Sequence, residues 1–465
     1  MKKLACYPLT VAAGLFVAGC VATPTSQTNQ NLRESSSPVT ASSPVNERAA
    51  NAEPLTLPVL DAFFAEEGFN ETLKSRLQLT DEQITRLKEL ARTETAKLNE
   101  TSAGTGEGGT AAARAAAQEK ISQVIGEEKA RQLAAIVRER WSGTTENASE
   151  AKSSETGSPT TSEAFDKQAP NAIPADSRIV VNIPAFRMDV FDGGRLTKTY
   201  RVGIGYPQFP LPTGLRKANT IIFNPTWTPP DEPWVAKMNV TAGEKIEAGS
   251  KLNPLGPIKI PIGGPSLIHG GKSPAKIGTF ASHGCVGLTT PQVLDFAKLL
   301  AHLGGGNLTD ADLARYARNK TETKQLKLAH PVPVELRYET IVVEDGKLHI
   351  YRDVYDQDTN TEENLRQVLE ANGIKLEDLT AEERAQVFDA LSQLAGKSSK
   401  KTTVANFANE NSSPLANANA ENKAKTKKKL ARAAKNQKDI VIEIAALKEK
   451  GYPAPANEDT GGAKK

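Results

Sequence analysis

Cysteine is nearly absent from this chain: three occur in 465 residues, at Cys6, Cys20 and Cys285. Histidine is almost as scarce, and two of the five copies, His269 and His283, lie just upstream of Cys285. Aromatic residues make up 5% of the chain and hydrophobic residues 38%. With so lean a composition, several Ser/Thr/Asn/Ala tracts cannot bury enough surface to offset their ordering entropy. The folded mass is therefore smaller than the roughly three domains suggested by length. Net charge is also small, +3 from 58 Lys and Arg against 55 Asp and Glu. This excludes the whole chain as a polyanion binder, and no nucleic-acid partner is expected, although charge is unevenly spread. Long apolar runs are missing too. The run from Leu9 to Ala18 is too short to span a bilayer as a helix, and no other run approaches that length.

Lys2 and Lys3 precede that run as the n-region of a secretory leader over residues 1–19. The leader ends in Val17-Ala18-Gly19-Cys20, which resembles the lipobox of bacterial lipoproteins. The resemblance implies cleavage before Cys20, lipidation of Cys20, and membrane anchoring through several acyl chains. Val21 after the anchor, rather than an Asp, favours by the same analogy the outer membrane of a Gram-negative envelope, with the protein facing the periplasm. Cys6 then leaves with the leader and Cys20 is acylated, so Cys285 is the one free thiol expected in the mature chain. In an oxidising envelope such a thiol is either buried and inert or kept for its reactivity.

Residues 20–58 are rich in Ser, Thr, Asn and Pro without periodicity and read as a disordered tether. From 59 to 141 the pattern predicts a helical hairpin. Thr80-Asp81-Glu82-Gln83 is a capping-box signature, followed at near-helical spacing by Ile84, Leu87, Ala91 and Leu98. A second helix is expected from about Ala111 to Arg140, after the Gly104–Gly109 interruption. The stretch Leu77–Gln83 looks like the LTxxQ repeat of small helical periplasmic stress proteins, and a spacer, partner-binding or dimerisation role all fit. Residues 142–177 read as a second disordered linker. Short strands separated by Gly/Pro turns then occupy 178–356, an all-β signal interrupted by helices over Pro291–Leu303, with Thr290 as N-cap, and Asp310–Asn319. Ile341–Glu344 and Lys347–Tyr351 are expected to close this domain. Residues 357–397 read as a helical segment and 398–465 as a low-complexity basic tail, with a short helix expected over Ile440–Lys448. Lys423–Lys438 holds eight basic residues and no acid. That run is either a solvated face or a contact with anionic envelope components.

Chemistry concentrates in Leu267–Leu288, LIHGGKSPAKIGTFASHGCVGL. A Ser-His-Gly-Cys turn is a poor place to bury a side chain, which raises the standing of Cys285 as a nucleophile. His269, at the end of a strand-like run, is a plausible base for its proton. Zinc ligation by one Cys and two His is the rival, but no fourth ligand has recognisable spacing, so neither a metal nor another cofactor is expected.

Several elements together resemble the L,D-transpeptidase catalytic domain family, which remodels bacterial peptidoglycan. They are Pro212-Thr213-Gly214, Asn224–Pro230 (NPTWTPP), Asn253–Gly256 (NPLG), Ile268-His269-Gly270 and Ser282-His283-Gly284-Cys285, after an opening hairpin over Arg178–Gly205. The resemblance implies a mainly β, sandwich-like catalytic domain with a helix after the nucleophile, flanked by helical segments and disordered linkers. It implies Cys285 as nucleophile, His269 as general base, the Gly270 carbonyl as orienter of its ring, and the Gly284 and Cys285 amides as oxyanion donors. Ser282 and His283 become candidates for substrate positioning. The implied partners are peptidoglycan stem peptides, cleaved at the third residue with loss of D-Ala and transferred to an amine. Water as acceptor, giving a carboxypeptidase or cross-link hydrolase, and a non-catalytic wall-binding tether are the alternatives. The family often has Arg or Asn where this chain has Gly287, and Lys272 and Lys276 are the nearby cations able to take that place.

Overall fold

The computed structural model describes residues 55–66, 68–98, 109–141, 169–230, 235–395 and 438–462. The leader, Cys20, most of the tether, residues 142–168 of the second linker and the basic run up to residue 437 lie outside the described residues. Among the described residues no helix is long and apolar enough to cross a membrane.

The N-terminal part is a helical bundle: α1 (Leu57–Phe64), α2 (Phe69–Leu77), α3 (Asp81–Ala96), α4 (Thr110–Ile125) and α5 (Glu127–Trp141). The capping box holds: Thr80 Oγ1 accepts from the Gln83 amide at 3.2 Å, and the Gln83 side chain accepts from the Thr80 amide at 3.1 Å. Ile84, Leu87 and Ala91 then line one buried stripe. The expected hairpin is too simple. Gly126, at φ +82°, ends α4, so the single helix read over Ala111–Arg140 is two. Two further helices precede Thr80, because Leu57, Leu60, Phe63, Phe69 and Leu73 join the same core.

The β domain carries a large sheet built from β1 (Arg178–Asn182), β2 (Arg187–Asp192), β3 (Arg195–Arg201), β5 (Gly214–Phe223), β6 (Ile258–Pro261), β7 (Leu267–His269), β9 (Val286–Gly287) and β10 (Lys324–Arg337), in the order β3-β2-β1-β10-β5-β6-β7-β9. β4 (Ile204–Gly205) and β8 (Phe280–Ser282) pair separately. The fold class is as expected, mainly β with a helix directly after Cys285. That helix, α6 (Thr290–Leu303), buries Val293, Phe296, Ala297 and Leu300 in the core beneath the sheet. Its N-cap is Thr289 and not Thr290, because the Gln292 side chain closes a capping box on Thr289. α7 (Asp310–Arg318) follows.

Beyond β10 the structure departs from the sequence reading. β11 (Ile341–Glu344) and β12 (Lys347–Tyr351) do not join the large sheet. They pair instead with β13 (Asp439–Glu443), and α8 (Glu362–Ala371) and α9 (Ala381–Leu394) pack on this three-stranded sheet around a separate core. The segment expected as a helix over Ile440–Lys448 is thus strand up to Glu443, followed by a 3-10 turn at Ala445–Leu447. Its Ile-Val-Ile run alternates, with Ile442 buried and Val441 exposed, which suits a pleated strand with a single buried face.

After β13 the chain crosses back over the β domain. Tyr452 packs on Val180, Phe191 and Val342 and donates to Asp189 at 3.1 Å. Arg187 lies over the Tyr452 ring at 5.4 Å and pairs with both Asp189 and Glu344. Residues 456–459 then run beside β3, with the Thr199 amide donating to the Ala456 carbonyl at 2.8 Å and the Arg201 amide to that of Asp459 at 2.9 Å. Replacing Tyr452 with Ala removes a buried ring and a hydrogen bond, so urea unfolding should show a loss of about 3–5 kcal/mol, as for other buried aromatics. A loss below about 0.5 kcal/mol, typical of exposed positions, would mean this crossing does not hold the two units together.

Candidate active site

Cys285 sits in the turn between β8 and β9, and one hydroxyl shapes that turn. Ser282 Oγ donates to the Cys285 carbonyl at 2.5 Å and accepts from the Cys285 amide at 3.0 Å. Ser282 is buried and its hydroxyl is used on both sides, so it shapes the turn rather than facing a ligand. The Cys285 amide, one of the two expected oxyanion donors, is already engaged. The Gly284 amide makes no hydrogen bond among the described residues.

Register places the imidazole on the strand next to the turn that carries the thiol. β7 and β9 are parallel neighbours, with Ile268 opposite Val286 and His269 opposite Gly287. Cys285 therefore lies at the same sheet edge as His269, alongside Leu267. His269 is 3% exposed, and its Nδ1 donates to the Gly270 carbonyl at 2.7 Å. A carbonyl can only accept, so the proton is on Nδ1 and the neutral ring presents its lone pair at Nε2. Asn253–Gly256 folds over this point. A Cβ on Gly256 would fall 2.4 Å from the Gly271 amide nitrogen, and one on Gly271 would fall 2.9 Å from both the Gly256 nitrogen and the Pro254 carbonyl. Two facing glycines, both at positive φ, allow the turn to close on the histidine.

Burial sets the charge state. Loss of solvent pushes the His269 imidazole down to about 3, with the Lys272 charge acting the same way and hydrogen bonds with the Gly270 and Leu255 backbone opposing. His283 is also pushed down to about 3, by burial and then Lys272. Burial raises the Cys285 thiol, against a backbone hydrogen bond from Leu267 and the Lys272 charge. The resting site is therefore a neutral thiol beside a neutral imidazole, and a thiolate forms when the proton is handed over.

Of the two lysines singled out in the sequence, only Lys272 reaches the site. Its stem lies on Gly287, where a Cβ would be 2.8 Å from Lys272 Cγ and Cε. Lys276 sits exposed in the short 3-10 turn Pro274–Lys276 and acts on none of the three titrating groups. Strand pairing adds a cation the sequence did not suggest. Lys259 on β6 is directly opposite His269, half-buried, with its ammonium pushed down by burial. His283 points elsewhere, edge-on to Tyr206 and Phe209 at ring separations of 5.3 and 4.7 Å. Those two rings and Lys259 were missed because nothing in their local sequence marks them. Among the described residues no group of three or more His, Cys, Asp and Glu side chains could hold a metal ion.

A strand-borne histidine held by the next carbonyl, a cysteine in an SHGC turn and a helix packed behind it stand together in this domain. Residues 176–329 match the L,D-transpeptidase catalytic domain (YkuD) family. No curated protein matches the chain. Among solved structures it is similar to the Ldtfm–avibactam carbamoyl enzyme, at 13% identity over 35% of this chain and 49% of that one, with a TM-score of 0.22. It is also similar to an L,D-transpeptidase from Mycobacterium smegmatis (14% identity, 35% and 59% covered, TM-score 0.21). A third similarity is to the catalytic domain of the E. faecium L,D-transpeptidase (16% identity, 36% and 100% covered, TM-score 0.22). The chain thus spans about half the length of the first of these structures, and the family match alone carries the assignment.

Alkylation of Cys285 by iodoacetamide, followed on its own peptide by mass spectrometry, should have a pH midpoint above the ordinary thiol value of about 8.5. Lys272→Met removes a cation that favours the thiolate, so the midpoint should rise further. Gly287→Ala should shift it the same way by pushing the lysine stem aside, and should add nothing to Lys272→Met. A midpoint below about 8.5, or a fall in Lys272→Met, contradicts this electrostatic picture.

Proposed function

We propose that the domain is an active L,D-transpeptidase acting on peptidoglycan stem peptides. Cys285 attacks the L-centre carbonyl of the third residue of a stem tetrapeptide, and His269 Nε2 takes the thiol proton. The Gly284 amide donates to the oxyanion of the tetrahedral intermediate. His269 then gives its proton to the departing D-Ala amine, leaving a thioester on Cys285. An amine from a second stem peptide or a protein attacks that thioester, His269 accepts the amine's proton, and the thiol is restored. The Gly270 carbonyl keeps the ring in the tautomer this needs. Stem peptides carry carboxylates, and Lys272 and Lys259, on either side of His269, are the cations suited to grip them. Lys272 in this reading takes the part often played in the family by the residue at the Gly287 position. The site of action is the cell envelope, with the chain held to the outer membrane through lipidated Cys20.

The observation that carries the proposal is the buried His269 on the strand next to the Cys285 turn, its Nδ1 fixed on the Gly270 carbonyl. Purified protein incubated with disaccharide tetrapeptide should release D-Ala and yield a cross-linked dimer detectable by mass spectrometry. Cys285→Ala should abolish both, and His269→Ala should slow release by about 10²–10⁴-fold. Monomeric tripeptide without dimer would make water the acceptor. Sacculus binding that survives Cys285→Ala, with no D-Ala release and no carbapenem adduct on Cys285, would leave a wall-binding tether instead.

A further inference from the structure

The helical bundle of residues 55–141 touches the β domain at a place that bears directly on Cys285. The loop following β4, Tyr206–Phe209, is held at its ends by the β domain itself. Tyr355 Oη donates to the Gly205 carbonyl at 2.9 Å and accepts from the Leu211 amide at 3.1 Å. The tip of the loop is held from the other side. Thr110 Oγ1, in the first residue of α4, donates to the Pro207 carbonyl at 2.8 Å. Thr56 Oγ1, the N-cap of α1, donates to the Gln208 carbonyl at 2.6 Å while accepting from the Val59 amide at 3.3 Å. Both threonines are fully buried. Leu98, just beyond α3, packs against Tyr206 and Phe209.

From the loop the path to the thiol is short. The rings of Tyr206 and Phe209 face His283. The Tyr206 amide donates to the Ser282 carbonyl at 2.8 Å, and Ser282 Oγ sets the turn of Cys285. The bundle also meets the far side of the site, where the Arg140 carbonyl is 3.8 Å from the place a Cβ would take on Gly264, in the turn before β7. A simple spacer does not require two buried hydroxyls from two different helices aimed at consecutive carbonyls of one active-site loop.

We infer that the helical bundle is a positioning wall of the active site, with Thr56 and Thr110 fixing the Tyr206–Phe209 loop and, through it, His283 and the Ser282–Cys285 turn. The inference rests on the function proposed above for the site, but it can be tested separately. Thr56 and Thr110 are positioning residues, since neither touches the reacting atoms.

The test is the full chain carrying Thr56→Val and Thr110→Val together, compared with Thr56→Ser and Thr110→Ser, which keep both donors. Loss of the hydroxyls should lower kcat for D-Ala release by roughly ten- to a hundredfold, the cost of slight misplacement at a reacting centre, with a smaller change in KM. It should also change the rate of Cys285 alkylation at fixed pH. The serine pair should stay within about twofold of wild type, since its geometry is retained. Unchanged kcat and alkylation in the valine pair, or equal loss in the serine pair, overturns the inference. Should the valine pair fail to melt cooperatively, the single variants Thr110→Val and Leu98→Ala decide on the same two readouts. If wild type releases no D-Ala, the proposed function fails, while the alkylation comparison still decides this inference.

Discussion

The turn that carries Cys285 has to present a side chain outward while its own backbone stays satisfied at the edge of a buried sheet. Ser282 meets that demand with a single oxygen, donating to the Cys285 carbonyl and accepting from the Cys285 amide. Once the turn is set this way, β9 follows in register beside β7, and α6 can begin directly after it. Val293 of that helix then packs so close to Gly270 that a Cβ there would fall 2.6 Å from it. The thiol, the imidazole and the helix behind them are thus one mechanical assembly, and the tightest points along it are glycines.

Electrostatics follow from how completely this assembly excludes water. A histidine in water would be partly protonated near neutral pH, whereas His269 is held neutral well below that range. Lys272 reinforces this, because a cation nearby makes a second positive charge on the ring costly while making a negative charge on sulfur easier. The same lysine therefore disfavours protonation of the ring and favours ionisation of the thiol. Its placement depends on the absence of a side chain at Gly287, so the loss of one side chain and the seating of the other are a single structural fact.

Legibility in the sequence tracked the range of the interactions involved. The β2–β3 hairpin, the helix after Cys285 and the Thr80 capping box were readable because each is decided within a few neighbouring residues. Cys285 and His269 stand out in the sequence because short motifs carry them, and the β7–β9 register puts His269 on the strand next to the Cys285 turn. The break at Gly126 was passed over, since a lone glycine inside an apolar periodicity is often tolerated. β13 was misread because its alternation is brief and follows a long basic stretch. The contacts of Thr56 with Gln208 and of Thr110 with Pro207 connect residues 152 and 97 positions apart. Pairings at that distance leave no local pattern, and the same holds for Lys259 opposite His269.

The run of residues 456–459 along β3 has a consequence for how the chain is completed. β3 is the outer strand of the large sheet, and until this late segment arrives its row of amides and carbonyls is unpaired, a template on which another chain could add. During synthesis every other strand of that sheet is made before its edge can be closed. The long-range pairing that closes it is among the slow contacts of folding. Chains cut short after α9 would keep the Leu267–Leu288 stretch intact and yet carry an open edge, so their characteristic failure is self-association.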